Sequence, residues 1–158
     1  MGGKEEIESV RGIGKESKRH DFKERCDINA PPDRCEVVKD IVAIANSGGG
    51  FIHFGVRDDG EPVDGNVDSI LGLDPAVITD AIAKYTGEQF GDFELRESQR
   101  KGCKVALLHI KGVRIPMVFV KPGTYDVGGG KQKTAFAQGT VYFRHGAKSE
   151  PGIRRGGL

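Results

Sequence analysis

Apolar positions change their period along the chain, and the changes mark the elements. Val37, Val38, Ile41, Val42 and Ala45 recur at three- and four-residue spacing, which predicts a helix with one buried face. Asp33 stands before this run as a candidate N-cap, and Glu36 three residues on resembles its partner in a capping box. Asn46, Ser47 and Gly48 end the helix. Residues 51–56, FIHFGV, are mostly apolar on both alternations, as in a central strand covered on both faces. A second helix begins at Asp74 and Pro75 and runs through Val77, Ile78, Ala81, Ile82 and Tyr85 to Gly87. Short strands follow at 93–98, 104–111, 115–120 and 140–144, the first two joined by a hairpin turn at 99–102. Upstream, ESKRHDFKE at 16–24 carries one large apolar residue, Phe22, and reads as a short strand with a charged face.

These elements predict an α+β fold, a mixed sheet of about five or more strands packed by two main helices. Residues 1–15 read as a weakly ordered lead-in, 16–150 as the folded domain and 151–158 as a flexible tail. Gly128, Gly129 and Gly130, followed by Lys131, Gln132 and Lys133, make the 122–139 connection look like a mobile loop.

Composition narrows the function classes. The 158 residues suit one domain, and no apolar run reaches the ~20 residues that span a bilayer, so no membrane partner is expected. Cys26, Cys35 and Cys103 form no CxxC pair, which points to a reducing cytoplasm. The net charge of +1 hides a division. Residues 1–90 hold 11 Lys or Arg against 18 Asp or Glu, a net −7, and residues 91–158 hold 13 against 5, a net +8. A basic half suits a polyanion, while an acidic half beside it suits a metal or the folding of one half onto the other.

The chemistry of particular residues follows from that division. Gly48, Gly49 and Gly50 allow a tight reversal and free amides for a phosphate, yet neither GxxxxGK[ST] nor GxGxxG is present, so no ATP site is supported. Glu16, Asp21, Asp58 and Asp59 lie close to element ends, and oxygen ligands of this kind suit Mg²⁺ or Mn²⁺; ordinary acidic turns are the alternative. Lys18, Arg19 and Lys23 near the start, Lys131 and Lys133 in the glycine-rich loop, and Arg144 and Lys148 near the end are candidate phosphate contacts. Phe22, Tyr142 and Phe143 are available for packing or for base stacking, and a solvated charged face is the competing reading. His53 and His109 fall inside strands and read as core residues.

ESKRHDFKE, then IVAIANSGGGFIHFGVRDDG, then VYFRHGAKSEP, resemble in order and spacing the AlbA_2 domain found in Schlafen proteins and in many bacterial proteins. The resemblance covers residues 16–150 and implies an α+β nucleic-acid-binding domain. In the Schlafens that cut tRNA and rRNA, three acidic residues form a metal-dependent endoribonuclease site. Matched by motif, these fall on Glu16, Asp21 and Asp58, with Mg²⁺ or Mn²⁺ implied; only the family register ranks Asp58 above Asp59. Lys23 occupies the lysine of the family's EFK block. Asp21 departs from the usual Glu, and Arg57 replaces an acid. The resemblance implies binding of RNA or single-stranded DNA, with a metal-dependent endoribonuclease as the alternative and a regulatory or protein-interaction module as the third class. Schlafens set two such modules around a positive groove, so a homodimer would supply the second.

Overall fold

A computed structural model describes residues 10, 12–63, 65 and 67–152 of the chain. Its elements, in order, are β1 (His20–Lys23), α1 (Pro31–Asn46), β2 (Gly49–Phe54), α2 (Asp68–Leu71), α3 (Pro75–Thr86), β3 (Phe93–Arg100), β4 (Cys103–Lys111), β5 (Gly123–Gly128), β6 (Lys131–Phe136), β7 (Tyr142–His145) and β8 (Lys148–Pro151). The fold is mixed α+β. Its main sheet has four strands in the order β1-β2-β4-β3, with β1 parallel to β2 and the other pairs antiparallel. β5 with β6 and β7 with β8 form separate hairpins, so the described strands do not make one sheet of five or more.

The helix starts are set by local chemistry. α1 begins at two prolines after Ala30, where missing amides cost nothing, and Asp33 instead lies inside its first turn and accepts from the Asp27 amide at 2.8 Å. The expected Asp33 capping box is therefore not formed. α3 is capped as expected: Asp74 accepts from the Ala76 amide, and Gly87 closes the helix in the left-handed region.

β2 is buried at every position. One face carries Ile52 and Phe54 into the main core with Val38, Ile41 and Ile82, and with Phe119 and Phe136 from beyond the sheet. The other face is covered by the lead-in: Val10 packs on Phe51 and Leu107, and Ile13 on Phe22, Val56 and Val105. So the described part of the lead-in forms the second cover of the sheet. Arg100 fastens it, donating from Nη1 to the carbonyls of Ile13 (2.5 Å) and Gly60 (3.2 Å). Its Nη2 lies 3.3 Å from His53 Nδ1, and since a guanidinium only donates, His53 Nε2–H is left to donate to His20 Nδ1 at 3.1 Å.

Two stretches differ from expectation. Residues 115–120 form no strand; Met117 and Phe119 reach the core, while Ile115, Val118 and Val120 stay exposed. The 122–139 connection is the β5–β6 hairpin, pinned by the Tyr125 hydroxyl donating to Glu36 at 2.6 Å. β8 also includes Pro151, the first residue of the stretch read as a tail. No helix among the described residues is long and apolar enough to cross a membrane.

Asn46, the last residue of α1, ties the irregular stretch to β7. Its Nδ2 donates to the carbonyls of Met117 (3.1 Å) and Tyr142 (2.9 Å), and its Oδ1 accepts from the Met117 amide (2.8 Å). Asn46→Ala removes three half-buried hydrogen bonds and should lower stability by about 2–3 kcal/mol in chemical denaturation. A loss below about 0.5 kcal/mol would show that water replaces them freely.

Candidate functional site

Alternation along β1 places Asp21 and Lys23 on the face that meets α1, while His20 and Phe22 face the other way. α1 presents Asp40 to them from its buried side, and the β7–β8 hairpin adds Arg144 and Ser149, which are register partners. The result is a closed ring of two carboxylates and two cations. Lys23 Nζ bridges Asp40 Oδ2 at 2.6 Å and Asp21 Oδ2 at 3.2 Å. On the opposite side Arg144 Nη1 bridges Asp21 Oδ1 at 3.3 Å and Asp40 Oδ1 at 3.7 Å. Ser149 Oγ accepts from Arg144 Nη1 at 3.1 Å and donates to Asp40 Oδ1 at 2.6 Å.

The ring is dry. Asp21, Asp40 and Arg144 are only 6%, 7% and 3% exposed. Burial, followed by the Asp40 charge, pushes the Asp21 carboxyl up to about 7 against the pull of Lys23 and Arg144. Burial also disfavours the Lys23 charge, but Asp40 and Asp21 outweigh it and hold the ammonium protonated well above its usual range. Arg144 reaches further: Nη2 donates to the carbonyls of Ser17 (2.8 Å) and His20 (3.3 Å), and its amide donates to Ser47 Oγ (2.9 Å).

These bonds collect the loop before β1, the turn after α1 and the last hairpin at one end of the sheet. There Arg19 Nε donates to the Gly49 carbonyl at 3.4 Å, and a Cβ at Gly50 would collide with the Arg19 backbone. Gly49 pairs with Lys111 across β2 and β4, and a Cβ on it would stand 2.8 Å from the Gly112 nitrogen. Lys18, Arg19, Gly48, Lys111 and Lys148 are exposed on these touching segments, and Lys18, Arg19 and Lys148 have no ion-pair partner among the described residues.

The candidate phosphate contacts thus separate into groups. Lys18, Arg19, Gly48 and Lys148 lie exposed at this end, with the buried Gly49 shaping the turn. Lys23 and Arg144 belong to the ring. Lys131 and Lys133 lie on β6, and Lys133 pairs with Glu36 at 3.5 Å, ten residues and roughly 15 Å back along α1. Phe22 and Tyr142 are core residues and cannot stack on a base, and Phe143 is half-buried.

The three carboxylates implied by the resemblance differ in their surroundings, and the Glu16 charge adds to the rise of the Asp21 carboxyl. Glu16 Oε1 accepts the Phe22 amide at 2.8 Å, Asp21 is held in the ring, and Asp58 is exposed in the turn beyond β2. Among the described residues no group of three His, Cys, Asp or Glu side chains is placed to hold a metal ion. The donor set therefore does not fit a three-carboxylate centre, because both Asp21 oxygens already face cations. Three contributors were missed from the sequence. Asp40 lies three residues after Val37 and four before Ile44, on the buried stripe, and a charge there signals a buried partner. Ser149 and Lys111 carried no comparable signal.

Two opposing pH trends follow. The folded state keeps the Asp21 proton where the unfolded chain has lost it, so that stabilisation is full below about pH 4 and fades as pH rises to about 7. His20 and His53 are lowered to about 4 and about 3, first by burial and then by neighbouring positive charge. Their contribution is full above about pH 6.5 and is lost as pH falls towards those values. Asp21→Asn removes only the first trend. The gain in urea midpoint from pH 4.5 to pH 7 should therefore be larger in Asp21→Asn than in wild type; an equal or smaller gain would contradict the reading.

The Schlafen AlbA_2 family model matches residues 16–153. No curated protein matches the chain in sequence. Among solved structures it is similar to the DIP2311 protein from Corynebacterium diphtheriae, at 14% identity and a TM-score of 0.58, over 96% of this chain and 27% of that one. The chain thus spans about a quarter of the length of that structure. It is also similar to the N-terminal domain of a protein from Nitrosomonas europaea described as related to the ATP-dependent DNA helicase RecG, at 17% identity and a TM-score of 0.45, over 84% of each chain. The first of these likenesses shows the fold.

Proposed function

Since the chain belongs to the Schlafen AlbA_2 family, we propose that it binds the sugar-phosphate backbone of nucleic acid, RNA or single-stranded DNA, at the basic end of its sheet. The observation that carries this reading is the gathering of exposed Lys18, Arg19 and Lys148, on segments the buried ring joins, and of Lys111, which pairs with Gly49, around the Gly48 turn. An excess of positive charge on a rigid end attracts a polyanion, and Lys18, Arg19 and Lys148, which have no ion-pair partner among the described residues, release counterions on binding.

Single strands are favoured by the kind of element involved. The basic groups come from loops and strand ends, and α1, the longest helix described, is buried along most of its length and offers no face to a major groove. Flexible backbone can follow such a surface. Lys131 and Lys133 would extend the track only for a longer strand that passes α1.

A surface of this kind engages about three phosphates. Binding of a fluorescent 12-nucleotide RNA should weaken about 20-fold between 50 and 200 mM salt. Arg19→Ala and Lys18→Ala should each lower affinity several-fold and reduce the logarithmic salt slope by about 0.7. Affinity insensitive to salt, or unchanged in both variants, would reject the reading. Asp58→Ala should leave affinity unchanged within about twofold.

A further inference from the structure

The family's implied metal and the geometry of this chain disagree, and the disagreement has a specific form. We infer that the Lys23 ammonium takes the place a divalent cation would hold at Asp21, so that the wild-type chain closes this site without metal. Lys23 Nζ lies between Asp21 Oδ2 and Asp40 Oδ2, at 3.2 and 2.6 Å. Asp21 Oδ2 is buried, and among the described residues its ion-pair partner is the Lys23 ammonium. The opposite oxygens are taken by Arg144 and Ser149.

Charge and distance decide between the two cations. The ring already balances two negative groups with two positive ones, and a divalent ion added to it would leave a surplus of two charges in a largely buried site. Mg²⁺ and Mn²⁺ also sit about 2.0–2.2 Å from their oxygen ligands, closer than either carboxylate can approach a common point while the ammonium stands between them. The ammonium reaches from the same strand as Asp21, two residues away, so its local concentration exceeds that of any free ion. This inference concerns the apo protein and does not depend on nucleic-acid binding.

Mn²⁺ titration at pH 8, followed by the electron paramagnetic resonance of the free ion and by Tm, tests it without nucleic acid. Wild type should take up no equivalent that Asp21→Asn abolishes, at Kd below ~1 mM. Lys23→Met, which keeps length and removes charge, should bind one equivalent with a rise in its Tm. Uptake by wild type that Asp21→Asn abolishes would overturn the inference, and so would a folded Lys23→Met that binds nothing. Uptake that Asp21→Asn leaves unchanged belongs to another surface and agrees with it. Should Lys23→Met not fold, the comparison of wild type with Asp21→Asn still decides.

Discussion

Two carboxylates and two cations, buried together and bonded in a closed ring, are the constraint on which the rest of this structure depends. Each charge alone would cost several kcal/mol to bury, and the ring is tolerable only because all four are present. Its members come from β1, α1 and β7, with Ser149 from β8 completing it, so segments far apart in sequence must meet at one point. Loss of one member leaves an uncompensated buried charge, on the order of 3–5 kcal/mol. Ionic burial of this type sets register more than it adds stability. The register it sets here is that of the last hairpin against the first strand.

From that register comes the basic end. Arg144 spends its donors inward, on Asp21, on Ser149 and on the carbonyls of Ser17 and His20, and so is a positioning residue. The same bonds leave Lys18 and Arg19 facing outward beside Lys148 and the Gly48 turn. Lys23 behaves alike. The division of labour is between buried cations that assemble the surface and exposed ones that present it.

Much of the fold was legible because local chemistry decided it. Asp74, Pro75 and Gly87 bound α3 as read, β3 and β4 form the expected hairpin with its turn tightened to Lys101 and Gly102, and β2 is covered on both faces. The failures share a cause. Residues 115–120 alternate like a strand but find no strand partner, since Asn46 takes the Met117 amide and carbonyl. The glycines at 128–130 read as part of an irregular loop, yet they form the end of a hairpin that Tyr125 fastens to Glu36. In the site, a charged side chain carries the same letter whether it faces water or a buried partner. Lys23 and Arg144 read as phosphate contacts for that reason, while the fold joins both of them to Asp21 and Asp40.

The central question is whether the segments gathered at the basic end of the sheet are the ones that meet nucleic acid. Amide chemical-shift mapping of the wild-type chain with a short single-stranded RNA measures this directly. The largest changes should fall on residues 17–19, 47–49, 111–112 and 145–148. Changes confined to the β5–β6 hairpin, with those four segments unmoved, would contradict this.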